Sequence, residues 1–205
     1  MMRDKENIFP DYENILSRKE KENLLKQHGK VIWVMGLSGS GKSTIAAMIE
    51  KELHERGYLT QVLDGDNIRS GLNNNLGFSQ EDREENIRRI AEVAKLFLNC
   101  GLIIIGCFIS PTLKAREKAR KIIGKDDFLE IYVNTPFLVC ESRDVKGLYK
   151  MAREGKINNF TGIDSPFEPP VEPFMELDTS QCSIEDGVKQ ILEKILPLIE
   201  YKSEK

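Results

Sequence analysis

Short runs of branched apolar residues recur along the chain, separated by longer segments with helical spacing. Val31 to Met35, Thr60 to Leu63, Leu102 to Phe108 and Phe128 to Val133 have the length and composition of strands. Their alternation with helix-like segments predicts an α/β fold with a mostly parallel central sheet flanked by helices. The first long helix should begin inside the glycine-rich turn and run through Ile45, Ile49 and Leu53 to Gly57, a residue suited to stopping it. A second should start at Ser79, with Asp82 three residues on to complete a capping box. Its apolar face is Ile87, Ile90, Ala91, Ala94, Phe97 and Leu98, and its end falls near Cys100. Pro111 and Thr112 precede a shorter charged helix ending near Gly124. Ser183 to Ile199 forms an amphipathic helix broken late by Pro197.

Two stretches fall outside this rhythm. Residues 1 to 29 read as an amino-terminal extension that packs loosely or serves a partner subunit, leaving residues 30 to 205 as the single domain. From about residue 144 to 173 the chain has few apolar positions, several glycines and prolines, and aromatics among them. That composition reads as a lid over a site.

Composition narrows the class without naming a chemistry. Acidic and basic residues are mixed along the 205 residues, with a net charge of −3, so no basic block points to nucleic acid. No apolar run reaches the roughly 18 residues of a bilayer span, and Met1 to Lys30 has no signal-like apolar core, so the expected location is the cytoplasm. Cys100, Cys107, Cys140 and Cys182 form no Cys-x-x-Cys pair, and His28 and His54 stand apart from them. A zinc site or disulfide framework is not expected. Catalysis is left to carboxylates, lysines and arginines.

Directly after the first strand stands Gly36-Leu37-Ser38-Gly39-Ser40-Gly41-Lys42-Ser43-Thr44, a P-loop in the strand-then-helix context that the pattern requires. Its backbone amides can turn inward around phosphates, Lys42 can bridge the terminal phosphates, and Ser43 can bind Mg2+. ATP or GTP binding follows; whether phosphate passes to a small molecule or to water, or is only sensed, does not. The second strand ends in Leu63-Asp64-Gly65-Asp66-Asn67-Ile68-Arg69, which puts carboxylates at the sheet edge where ligands of open α/β folds bind. Asp64 there could accept an acceptor proton and help hold the magnesium shell, and Arg69 could hold an anion, although Asp-Gly-Asp-Asn is also ordinary turn chemistry.

Arg83 and Asn86 are three apart on the second long helix and share a face, fit either to grip an anion or to join a salt-bridged surface with Glu81, Asp82, Glu84 and Glu85. Phe78 could stack on a base or staple the helix. Phe108-Ile109-Ser110-Pro111 ends the third strand at the same edge. Ser110 could hydrogen-bond the acceptor, carry a phosphoryl intermediate, or cap the next helix.

Taken together, GLSGSGKST, LDGDNIR, GLNNNLGFSQEDREENIRRIAEVAKLF, FISP, RDVKGLY and FTGIDSPFEPP resemble the adenylyl-sulfate kinase family across Lys30 to Thr179. The resemblance implies transfer of the ATP γ-phosphate to the 3′-hydroxyl of adenosine 5′-phosphosulfate in sulfate assimilation, with Mg2+, in a homodimer. It implies that Asp64 is the catalytic base and that Asp66, Asn67, Arg69, Phe78, Arg83, Asn86, Ile109 and Ser110 form the acceptor pocket. Lys146 and Phe160 become the lid-side contacts. Gly106-Cys107 ahead of FISP and Ile8-Phe9-Pro10 near the start depart from the family's usual pattern. Two rival readings are a small-molecule P-loop kinase with another acceptor and a non-catalytic ATP-dependent switch.

Overall fold

The computed structural model describes residues 14 to 202 of the chain. A short helix, α1 (Arg18–Leu25), precedes β1 (Val31–Met35), and the glycine-rich turn leads into α2 (Lys42–Glu55). β2 (Thr60–Asp64) runs directly into α3 (Gly65–Ser70), followed by α4 (Gln80–Leu98), β3 (Ile103–Phe108), α5 (Leu113–Ile123) and β4 (Phe128–Val133). The last elements are α6 (Phe137–Arg143), α7 (Leu148–Arg153), β5 (Met175–Leu177) and α8 (Ile184–Ile199).

The five strands form one parallel sheet in the order β2-β3-β1-β4-β5. β1 is fully buried, and its period-two alternation divides the core. Ile32 and Val34 face α2 and α8 through Ile45, Ile49, Val188 and Ile191. Val31, Trp33 and Met35 face α4 and α5 through Ile87, Ile90, Ala94 and Ala119. The chain passes from β1 out to one side of the sheet and later to the other, so the carboxyl end of β1 is the crevice where such sheets bind ligands.

The helix starts expected at Ser79, Thr112 and Ser183 are present, each side-chain oxygen accepting a backbone N–H three residues on. Pro197 does not end α8. Ile195 and Ile199, both fully buried, hold the last turn against the core on either side of it.

The amino-terminal segment differs from the expectation of loose packing. Ser17 and Glu20 form a capping box at the head of α1, and Arg18 donates to both carboxylate oxygens of Asp127, at 2.6 and 3.0 Å, and to the Gly29 carbonyl. Buried Gln27 donates to the carbonyls of Leu59 and Gly101 and accepts from the Leu59 amide. These polar contacts fasten the segment to the amino-terminal rim of the sheet without an apolar stripe, which is why hydrophobic periodicity did not reveal it. Ile8-Phe9-Pro10 lies outside the described residues. Among the described residues no helix is long and apolar enough to cross a membrane.

The Arg18–Asp127 contact gives a pH signature. Burial alone would raise the Asp127 carboxyl, but hydrogen bonds from Arg18 and Lys30 outweigh it and hold the group below its ordinary value. A depressed carboxyl contributes stability above its unfolded value near pH 4 and loses it as pH falls through the folded value. Asp127→Asn should therefore destabilise the protein by about 1.5–3 kcal/mol at pH 7. In urea titrations the gap to the parent should narrow below about pH 4; a gap independent of pH would remove the ion pair from the explanation.

Candidate active site

A loop that points its amides inward at phosphates must point its carbonyls outward into protein, where each needs a donor. The turn after β1 solves both halves. Gly36 and Gly39 have φ of 152° and 75°, and a Cβ on either would stand 2.5 Å from the Val133 carbonyl oxygen or 2.6 Å from that of Cys140. Only glycine fits there. The outward carbonyls are then met in turn. Lys42 Nζ donates to the Leu37 carbonyl at 2.6 Å, the Tyr149 hydroxyl to that of Ser38 at 2.9 Å, and Arg143 to that of Gly39 at 3.3 Å. The hydroxyls of Thr135 and Thr179 both donate to the Ser40 carbonyl, at 3.1 and 3.0 Å. Arg143 also holds Thr179 through its hydroxyl and carbonyl.

At the head of α2 the candidate reacting groups gather. Burial pushes the Lys42 ammonium below the ordinary lysine value. Ser43 Oγ lies 3.4 Å from Asp64 Oδ2 and 3.4 Å from Cys107 Sγ. The other Asp64 oxygen caps α3, accepting the amides of Asp66 at 3.0 Å and Asn67 at 3.4 Å. Asp-Gly-Asp-Asn is thus a helix start and not only a turn, and the cap leaves Oδ2 aimed at Ser43. The cleft that Lys42, Ser43 and Asp64 line at this end is bridged by Lys146, whose ammonium pairs with Asp66.

The far end of the same cleft is cationic and aromatic. The guanidinium of Arg69 lies 4.5 Å from the Phe78 ring centroid and that of Arg83 5.7 Å from it. Arg69 is fixed by the Gly77 carbonyl at 2.9 Å; Arg83 by the carbonyls of Phe78 and Asn159 and the Thr161 hydroxyl. Burial lowers both arginines from the ordinary value, and the neighbouring Arg69 charge adds to the effect on Arg83. An anion between them would relieve that cost. Asn86 is buried, lines the cleft and accepts from Asn73 Nδ2 at 2.9 Å.

Ile109 and Ser110 form the third wall. Ser110 is 1% exposed and holds a left-handed φ of 46°, a conformation that costs a side-chain-bearing residue about 1–2 kcal/mol. Trp33 Nε1 donates to its hydroxyl at 3.0 Å, and Arg116 donates to its carbonyl at 2.6 Å.

Not every expected contact is brought here. The Phe160 ring is buried with Tyr149, 4.9 Å between centroids, in a small cluster that includes Cys140, and does not line the cleft. Asn67 is exposed and reaches the site through its backbone amide on Asp64, and Thr44 is exposed on the first turn of α2. Conversely, the donors that fasten the P-loop carbonyls were missed. Thr135 and Thr179 follow β4 and β5, and nothing in residue spacing marks a threonine as facing a carbonyl more than ninety residues away in the chain. Tyr149 and Arg143 stood in the RDVKGLY segment but were read as lid residues.

A P-loop cradle facing a cationic, aromatic pocket across one cleft defines a P-loop kinase of an anionic small molecule. Comparison with known proteins supplies the particular family. The family model for adenylylsulphate kinase matches residues 28–178, so the chain belongs to the adenylyl-sulfate kinase family. It is 60% identical over 202 residues to an adenylyl-sulfate kinase of Phocaeicola vulgatus, covering 98% of this chain and 99% of that one. An adenylyl-sulfate kinase of Bacteroides thetaiotaomicron is likewise 60% identical, with 98% and 100% covered. Among solved structures, the APS kinase of Mycobacterium tuberculosis in complex with AMPPNP and APS superposes with a TM-score of 0.78 at 46% identity, covering 81% of this chain and 96% of that one.

The fastening of the cradle can be tested on its own. Thr179→Val keeps the shape but removes a hydroxyl that donates to Ser40 and accepts from Arg143. At roughly 0.5–1.5 kcal/mol per hydrogen bond, ATP-analogue affinity should fall about three- to tenfold in calorimetry. Unchanged affinity would mean that the Thr135 bond alone suffices.

Proposed function

We propose that the protein is an adenylyl-sulfate kinase that transfers the γ-phosphate of ATP to the 3′-hydroxyl of adenosine 5′-phosphosulfate, yielding 3′-phosphoadenosine 5′-phosphosulfate and ADP in sulfate assimilation. The observation that carries the reading is the placement of Asp64 Oδ2 beside Ser43, between the phosphate cradle and the Arg69–Phe78–Arg83 pocket. A switch needs the cradle but has no use for a second, desolvated anion pocket facing it.

In this reading the amides of Gly36 to Thr44 and the Lys42 ammonium hold the ATP phosphates. Arg69 and Arg83 hold the acceptor's anionic end, Phe78 offers an aromatic face to its base, and Asn86 and Ile109 fill the remaining wall. Asp64 takes the 3′-hydroxyl proton as that oxygen bonds to the γ-phosphorus and the bond to the β-phosphate oxygen breaks, releasing ADP. Ser110 is assigned an acceptor hydrogen bond. Among the described residues its hydroxyl has Trp33 N–H as its partner, a donor that cannot act as the base a serine nucleophile needs. Asp66, Asn67 and Lys146 shape the near side, and Phe160 acts from behind by packing Tyr149 against the P-loop.

The donor set also fits Mg2+ accompanying ATP: Ser43 Oγ and Asp64 Oδ2 are hard oxygens converging at 3.4 Å, and magnesium asks for few protein ligands when phosphates supply others. When bound, the ion neutralises charge on the phosphates. A homodimer and a cytoplasmic location belong to the same proposal, the former readable by sedimentation.

ADP release from Mg-ATP should require adenosine 5′-phosphosulfate and give a 3′-phosphorylated product on chromatography. Turnover with adenosine or a sugar acid in its place would overturn the acceptor. Lys42→Ala should abolish turnover, and Asp64→Asn should lower kcat by about 10²- to 10⁴-fold while nucleotide binding persists.

A further inference from the structure

Among the described residues, Arg116 and Glu130 form an ion pair with both side chains buried, directly behind the acceptor wall. Arg116 on α5 is 2% exposed and Glu130 on β4 is 3% exposed; Arg116 Nε lies 3.1 Å from Glu130 Oε1, and Arg120 donates to Glu130 Oε2 at 2.8 Å. Burial lowers Arg116 and raises Glu130 from their ordinary values, so neither charge is placed there cheaply. A buried pair of this kind is weak evidence for a stabilising role, because apolar residues of the same volume often serve stability as well. The two remaining arms of the fork show what the guanidinium does. Nη1 donates to the Ser110 carbonyl and Nη2 to the Glu168 carbonyl, each at 2.6 Å.

Those carbonyls belong to the cleft wall and to the segment folded over it. Ser110 is the wall residue in the left-handed conformation. Glu168 is tied to the same loop twice more, its amide donating to the Pro111 carbonyl at 2.8 Å and its carboxylate accepting the Leu113 amide at 2.6 Å. The peptide after Ser110 is therefore clamped from the α5 side by Arg116, while Trp33 fixes the hydroxyl from the β1 side. With the Trp33 N–H on one lone pair, the hydroxyl proton of Ser110 stays available for an acceptor in the cleft that Ser110 lines.

We propose that Arg116 is a positioning residue for the acceptor: its planar fork, anchored on Glu130, holds Ser110 in the strained conformation that presents the hydroxyl to the bound acceptor and registers the Glu168 segment against the same wall. The inference rests on the reading of Ser110 as an acceptor contact. Lysine cannot replace the fork, since one ammonium opposite Glu130 cannot also reach both carbonyls along the two directions that Nη1 and Nη2 take.

Arg116→Lys keeps a charge opposite Glu130 and so limits misfolding. Steady-state kinetics should show the KM for adenosine 5′-phosphosulfate raised about tenfold or more, with the KM for ATP within about twofold. Lost folding alone would lower kcat through the active fraction and move neither KM; that pattern, checked against the urea midpoint, would overturn the proposal. Ser110→Ala separates the layers. It should raise the acceptor KM by itself, and Arg116→Lys added to it should raise that KM less than about twofold further, because no hydroxyl remains to be positioned. An undiminished Arg116→Lys effect in the Ser110→Ala background would show that the arginine does not act through Ser110. An unchanged acceptor KM in Ser110→Ala would overturn the Ser110 reading and this inference with it.

Discussion

Everything in the nucleotide half of the molecule follows from the need to satisfy the outward carbonyls of one short loop. The carbonyls of four consecutive residues, Leu37 to Ser40, are met by Lys42, Tyr149, Arg143, Thr135 and Thr179. These donors come from α2, α7, the end of α6, and the loops after β4 and β5. An unmet buried carbonyl costs about 1–3 kcal/mol, so the loop geometry and the placement of those elements must form together. The cradle is thus preorganised in large part by Tyr149, Arg143, Thr135 and Thr179, which lie outside it.

The acceptor half is organised by charge. Arg69 and Arg83 share the Phe78 face although they repel, and each is locked by backbone carbonyls before any ligand arrives. That arrangement stores an electrostatic cost that an anionic acceptor removes, which makes the pocket selective for charge as well as shape. Asp64 stands between the halves, one oxygen committed to α3 and the other to Ser43, so the helix cap that fixes it also aims it.

Much of this was legible in the residues, and the limits are instructive. β1 to β4, α2, α4, α5 and α8 announce themselves through apolar periodicity and caps, and Gly36 to Thr44 through a motif whose glycines are forced by close backbone approach. α1 was hidden because polar groups dock it, and β5 because three residues are too few to show a period. At the site, motif spacing brought Lys42, Ser43, Asp64, Arg69, Arg83, Asn86 and Ser110 to one cleft, since they lie at strand ends or early in the helices that follow them. Phe160 was expected at the cleft, but its ring packs with Tyr149 and Cys140, a difference that residue type and spacing do not encode. Motif spacing could not find Thr135, Thr179 or Arg116, which act on the site through main-chain carbonyls that leave no residue-type signature.

The segment from residue 144 to 173, expected as a lid, is not loose. Its first part is anchored in the core: Asp144 caps α7, Tyr149 is buried, and Phe160 packs edge-on against it. Its last part is stitched to the wall behind Ser110 through Glu168. Between the anchors, the groups that cross the cleft are side chains: Lys146 reaching to Asp66, and Arg83 reaching to Asn159 and Thr161. Exchanging such exposed contacts for contacts to a ligand needs rotamer changes and little main-chain displacement, a smaller ordering cost than folding a free loop. Water exclusion at the transferring phosphate then depends less on a large closure than on whether an acceptor replaces the contact between Lys146 and Asp66.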